Sequence, residues 1–215
     1  VRSARDPGSA GPAASPLPDG LRAAAARVYA DAFVDDPGWR SVGPDGHRRR
    51  WRYVRRICGA EVRVARRLGG TVLATFDDGA PSGVLVFYPP EGRPASWRMT
   101  VAQAPGAALA GPVVVARSLV ADGVLGGGHP DEPHLYVSLL AVSPSLQRGG
   151  RGRTLLGDVL RWADELGVPA YLDTANPDNL PYYRSFGFEL TGEARLPRGA
   201  PLWYLLRPAG GATAR

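Results

Sequence analysis

The sequence predicts a mixed α/β (α+β) domain spanning residues 20–207. Three observations predict it. Short runs rich in β-branched and aromatic residues recur at 71–76, 82–88, 135–142, 170–174, 188–194 and 201–207, lengths that suit strands. Between them, apolar residues return at helical spacing over 21–34, 47–68 and 153–166. The hydrophobic fraction of 44% and the charged fraction of 21% are those of a globular protein, and 215 residues can bury a sizeable core. There is no internal repeat.

The elements follow in order. Residues 1–19 are rich in Pro, Ala, Ser and Gly without periodicity and read as a disordered or loosely docked tail. Leu21, Ala25, Val28 and Ala32 share one helical face, with Asp19 placed to cap the helix. Asp35-Asp36-Pro37-Gly38 breaks it; the paired aspartates read as turn residues before a proline in preference to an acid/base pair. After the turn Pro44-Asp45-Gly46, a long basic amphipathic helix runs from His47 to Leu68. It turns Trp51, Val54, Ile57, Cys58, Val62 and Ala65 to the core and its arginines to solvent. Gly69-Gly70 stops it. Strands 71–76 and 82–88 form a hairpin through Asp77-Asp78-Gly79. The region 94–128 is weakly patterned: Ala-rich helical patches lie between Pro105 and Pro112, and 113–125 suits a helix. It is either a packing element or the wall of a substrate pocket.

The most informative unit comes next. Leu135 to Val142 is a buried strand, ended by Ser143-Pro144 because proline cannot donate to a ladder. A glycine-rich turn then feeds a helix carrying Leu155, Leu156, Val159, Leu160, Trp162, Ala163 and Leu166, stopped by Gly167 and Pro169. The first amides of a helix have no intrahelical acceptors and sit at the positive end of its dipole, so this mouth suits an anion. Gly150 and Gly152 let a ligand approach the backbone, and Arg148, Arg151 and Arg153 bring guanidinium groups that match phosphate. The alternative is a plain strand-to-helix turn with solvated arginines. Strand 170–174 follows, then a turn, then a short helix capped by Asn179 and carrying Tyr182, Tyr183 and Phe186; the last strand pair precedes a loose tail, 208–215.

Composition excludes several chemistries. All 26 basic residues are arginine, so there is no lysine for a Schiff base or for a Walker phosphate loop. Cys58 is the only cysteine, and no cluster has metal-ligand spacing, so neither a disulfide nor a metal is expected. No apolar run is long enough to span a bilayer and no leader pattern opens the chain, so a cytoplasmic protein without membrane contact is expected. The formal charge of +6 favours polyanionic ligands. With arginine spread along the chain and no aromatic-interleaved basic run, a nucleotide cofactor is favoured over nucleic acid. Gly-x-Gly-x-x-Gly is absent, which argues against a dinucleotide fold.

Gln147-Arg148-Gly149-Gly150-Arg151-Gly152 resembles the acyl-CoA signature [Arg/Gln]-x-x-Gly-x-[Gly/Ala] of the GCN5-related N-acetyltransferases, the GNAT family. Asn179-Leu180-Pro181-Tyr182-Tyr183-Arg184-Ser185-Phe186-Gly187-Phe188 is similar to a second block of that family, and the Asp35–Pro37 turn, long helix and hairpin resemble a bacterial branch. The resemblance implies a mixed, mostly antiparallel sheet flanked by helices, in which strands 135–142 and 170–174 are parallel and splay apart around the pantetheine arm of acetyl-CoA. It places the cofactor on Leu140, Ala141, Val142, Gln147, Arg148, Gly149, Gly150, Arg151, Gly152, Arg153, Asn179 and Tyr183.

The implied reaction is direct acetyl transfer from acetyl-CoA to an amine of a small molecule or peptide, without an acyl-enzyme. The amide of Leu140 donates to the thioester oxygen, an interaction typically worth roughly 3 kcal/mol, and Tyr183 protonates the leaving thiolate. Tyr182 reads as core. The base is the weak point. The matching fourth-strand positions are Tyr136 and Ser138, neither of which is a competent base. His134 acting through water, Asp173, or an amine that arrives neutral are the alternatives, with Tyr136, Ser138 and Asp173 expected around the acceptor. His47 and His129 read as loop-bound and unpartnered. The missing base keeps a second reading open, a non-catalytic acyl-CoA sensor. A homodimer is compatible with the family.

Overall fold

The structure, a computed structural model, describes residues 13–92 and 96–210. Strands β1 (Ser15–Pro16), β2 (Thr71–Asp77), β3 (Ala80–Tyr88), β4 (Leu135–Val142), β5 (Ala170–Thr174), β6 (Glu189–Arg195) and β7 (Pro201–Arg207) form one sheet in the order β1-β2-β3-β4-β5-β7-β6. Every pairing is antiparallel except β4 with β5. The helices are α1 (Arg22–Phe33), α2 (Pro37–Val42), α3 (His47–Val64), α4 (Ser96–Ala108), α5 (Pro112–Gly127), α6 (Arg151–Leu166) and α7 (Leu180–Arg184). The mixed, mostly antiparallel sheet flanked by helices is the expected architecture.

The sheet is covered on both faces, which is why β3 is buried almost throughout. Strand periodicity sends its side chains to alternate faces. Val84, Val86 and Tyr88 pack with Tyr29, Val54 and Ile57 from α1 and α3. Leu85 and Phe87 pack with Leu155, Leu156, Val159 and Leu160 from α6. Cys58 is fully buried in the first cluster, as a small apolar residue. Arg207 is fully buried at the end of β7, where it donates to both carboxylate oxygens of Asp164 on α6 (2.6 and 2.9 Å) and to the Phe186 carbonyl (3.0 Å).

Several local expectations are corrected. The stretch read as an N-terminal tail docks at its end: Ser15 and Pro16 pair with Ala74 and Leu73, and Leu17 is buried. Residues 1–12 lie outside the described residues, as do 211–215; the intervening Gly210 amide bonds Asp164 (3.1 Å). Asp19 does not cap α1; a short 3-10 turn intervenes and its carboxylate pairs with Arg22 and Arg66. Asp35 and Asp36 are not merely turn residues. The Asp36 carboxylate accepts the Gly38 amide at 2.9 Å and caps the unforeseen α2, which carries Pro37 in its first turn. Asn179 stands at the N-cap position of α7 as expected, but its side chain bonds no helix amide and donates to Thr174 Oγ1 (3.3 Å) instead; Asn176 caps the turn before it. His47 opens α3 at 3.7 Å from Asp35.

Candidate active site

Two features of β4 open the site. First, β4 pairs with β5 only at Leu135–Ala170 and Tyr136–Tyr171, so the strands part company beyond Tyr136. Second, its register with β3 slips: Leu139 faces Val86 and Val137 faces Phe87, leaving Ser138 as the extra residue of a bulge. Bulges bend a strand and re-aim a side chain. Here the Ser138 hydroxyl turns to α3 and hydrogen-bonds Glu61 Oε1.

A cavity of about 310 Å3 opens from this bulge. Tyr136, Ser138, Leu140, Asp173, Asn179 and Tyr183, expected on the cofactor or around the acceptor, line it together. Glu61 lines it too, and sequence reasoning missed it. Glu61 is buried, it also accepts a long 3.5 Å hydrogen bond from the Tyr88 hydroxyl, and burial pushes its pKa up to about 7. Asp173 accepts the Tyr136 hydroxyl (3.2 Å) and is likewise raised by burial to about 7. The charge of Asp173 also raises Glu61, because two neighbouring carboxylates resist ionising together. Burial lifts the Tyr183 hydroxyl far above its ordinary range, so it keeps its proton at neutral pH.

The histidines are arranged differently from the expectation. His134 does not line the cavity. It is buried behind His129, with its Nε2 3.0 Å from His129 Nδ1 and its Nδ1 2.8 Å from the Glu132 carbonyl. His129, read as unpartnered, lines the cavity and packs against the Tyr136 and Tyr171 rings. His134 is thus linked to the cavity lining by its contact with His129.

Beyond the cavity, at the C-terminal end of β4, lies the glycine loop. Gly150, at φ +80°, is the N-cap of α6 and supplies no side chain. The first helical bond runs from the Thr154 amide to the Gly150 carbonyl (2.9 Å), so the amides of Arg151, Gly152 and Arg153 precede the ladder. Arg148 also has positive φ (+62°), a conformation that costs a non-glycine residue roughly 1 kcal/mol. Not every expected guanidinium is available. Arg151 donates to Asp77 (2.9 Å) and Ser82 (3.2 Å), clamping α6 to the β2–β3 hairpin, so its guanidinium is already engaged. Gln147 donates to the Val142 carbonyl (3.2 Å). The Arg153 guanidinium lies 4.9 Å over the Phe186 ring, and the Arg148 and Arg153 side chains are exposed.

An orphaned atom tests whether this loop fits a diphosphate. Tyr182, read as core, has a buried hydroxyl with no protein hydrogen-bond partner, and a Cβ on Gly152 would lie 3.0 Å from it. A phenol donor without an acceptor, beside three bare amides and two exposed guanidinium groups, fits an anion with several oxygens.

The sequence model of the "Acetyltransferase (GNAT) family" matches residues 31–188, a span holding the cavity's acidic residues, the loop and Tyr183. The chain belongs to the GNAT family of acetyltransferases. Solved GNAT structures share its fold. One is described as "histone acetyltransferase HPA2 and related acetyltransferase" from Corynebacterium glutamicum (TM-score 0.67, 19% identity, 95% of this chain and 99% of that one). Another is the PaiA N-acetyltransferase of Thermoplasma acidophilum in complex with coenzyme A (TM-score 0.54, 13% identity, 91% and 97%). A third is the ribosomal-protein-S18-alanine N-acetyltransferase of Escherichia coli (TM-score 0.53, 15% identity, 93% and 94%). Among the described residues of this GNAT protein no helix is long and apolar enough to cross a membrane, and no group of three or more His, Cys, Asp or Glu side chains is placed to hold a metal.

Proposed function

We propose that this GNAT protein is an N-acetyltransferase that moves an acetyl group from acetyl-CoA directly to an amine of a small cationic molecule. The observation that carries this reading is the charge of the cavity. The chain has 26 arginines, yet among the described residues none lines the cavity, whereas Asp36, Glu61, Asp122 and Asp173 do. Aromatic rings of Phe33, Trp39, Tyr53, Tyr88 and Tyr136 complete much of its wall. Carboxylates and ring faces attract an ammonium group, and no arginine stands there to balance an anionic acceptor. The volume suits a small ligand more than a folded surface.

Acetyl-CoA, when bound, supplies the acetyl group as an activated thioester. The residues to hold it are the amides of Arg151 to Arg153, the Tyr182 hydroxyl and the exposed Arg148 and Arg153, with the backbone of Leu140 in the gap beyond the β4–β5 pairing. Glu61 is the proton acceptor for the amine. A carboxylate with a pKa near 7 binds a proton at neutral pH far better than an ordinary one. Ser138 and Tyr88 orient it, so the base lacking on β4 is delivered to β4 by α3. Tyr183, protonated and lining the same cavity, is the proton donor. Glu61 answers the missing base on β4 that motivated the sensor reading, and so supports transfer.

Incubating the protein with acetyl-CoA and a panel of amines tests the reading. Free thiol should appear in step with acetylated amine by mass spectrometry. Coenzyme binding without thiol release from any amine would leave the sensor reading in possession. Within the active protein, Tyr183→Phe should slow kcat by roughly tenfold or more while coenzyme affinity, read by calorimetry, changes little. Weaker binding with normal kcat would make Tyr183 a packing residue.

A further inference from the structure

We infer that the acceptor is a diamine: one ammonium sits at Glu61 and Asp173, and the second is held by Asp122 beneath the α4–α5 cover. This rests on the transfer reading above and adds the identity of the far end. Asp122 lines the same cavity as Glu61 and Asp173, but from α5. Its carboxylate accepts one hydrogen bond, from Thr100 Oγ1 of α4 (2.8 Å), and among the described residues no arginine pairs with it. Asp36, the remaining cavity acid, is already committed to the amides that open α2. Asp122 is therefore a partly buried acid whose charge the fold leaves uncompensated, an expensive arrangement unless a ligand supplies the cation.

The two acidic ends stand on different helices, and the charge of Asp173 raises Glu61 while that of Asp122 does not. Asp122 follows Ser118 by one helical turn, and the Ser118 hydroxyl is 3.0 Å from the Tyr53 hydroxyl on α3. Glu61 follows Tyr53 by eight residues on α3, about 12 Å along the helix axis. The same wall carries the apolar side chains of Ile57, Met99, Leu125 and Leu139. An extended methylene chain buries itself there favourably, and each of its ends meets carboxylate. A single amine would leave Asp122 unanswered. A carboxylate-bearing amine would set like charges together.

Calorimetry with octanediamine and octylamine, equal in chain length, separates the possibilities, and thiol release is followed in parallel. Octanediamine should bind at least tenfold tighter than octylamine. The ratio of the two affinities should fall close to one in Asp122→Asn, which keeps the shape and the Thr100 contact but removes the charge. Equal affinities in the wild-type protein, or a ratio that Asp122→Asn leaves unchanged, would overturn the diamine assignment. The two readings fail separately. Acetylation of both amines without preference sinks the diamine alone. The expected binding ratios without thiol release from any amine sink the transfer reading and leave the two-ended cavity standing.

Discussion

Glu61→Gln is expected to lower kcat/KM for amine acetylation by roughly 100-fold or more, the usual scale for removing a general base. The substitution keeps a hydrogen-bonding group of the same shape beside Ser138 and Tyr88, so it tests proton acceptance more than packing. The pH dependence sharpens the test. With Glu61 raised to about 7, wild-type kcat/KM should climb with pH through about 7 and then level as the carboxylate ionises. That inflection should vanish in the variant. Stability should move the other way. Burial raises Glu61 from its ordinary 4.5, so the native state holds this proton more tightly than the unfolded chain. The contribution is full below pH 4.5 and is lost as pH rises through about 7. Glutamine cannot ionise, so above that pH the variant should unfold at higher urea than the wild type. An active variant with the wild-type pH profile would transfer the role to Asp173, which shares the site and the same elevated pKa.

The second large effect is at the loop. Gly152→Asp should reduce coenzyme affinity by roughly 100-fold or more. A Cβ there would lie 3.0 Å from the Tyr182 hydroxyl and 3.6 Å from a Val142 methyl, tight but not impossible. The charge does the rest: a carboxylate would stand among the bare amides and capture the donors that the diphosphate needs. Gly152→Ala separates bulk from charge and should keep most of the affinity. If aspartate and alanine behave alike, sterics against Tyr182 explain the loss. If neither weakens binding, the helix mouth is not the anion site.

The sequence made the sheet and the loop legible for physical reasons. Alternating apolar residues around Asp77-Asp78-Gly79 leave little but a hairpin, and a β-prone run followed by Gly150 and Gly152 must turn tightly into α6. What stayed hidden depends on three-dimensional partners. Asp36-Pro37 looks like a helix breaker but is also how a helix begins, and the sequence offered no way to choose. Pro105 suggested a boundary, yet α4 runs through it. The Arg151 guanidinium looked like a phosphate ligand because its partners, Asp77 and Ser82, are some seventy positions away. Glu61 did leave a trace. It stands four residues after Ile57 and three after Cys58, on the apolar stripe of an otherwise arginine-rich helix. An acid on the core face of α3 is a signal of a buried polar site, and it was masked by the many exposed charges around it. The bulge at Ser138, which turns that acid into part of the site, has no sequence signature at all.

The measurement closest to the central claim is a calorimetric titration of the protein with acetyl-CoA, read together with hydrogen exchange across residues 147–154. A GNAT site as described here gives saturable heat at one coenzyme per chain, with the amides of Arg151, Gly152 and Arg153 slowing markedly on binding. No heat, or heat that leaves those amides exchanging as before, would contradict it.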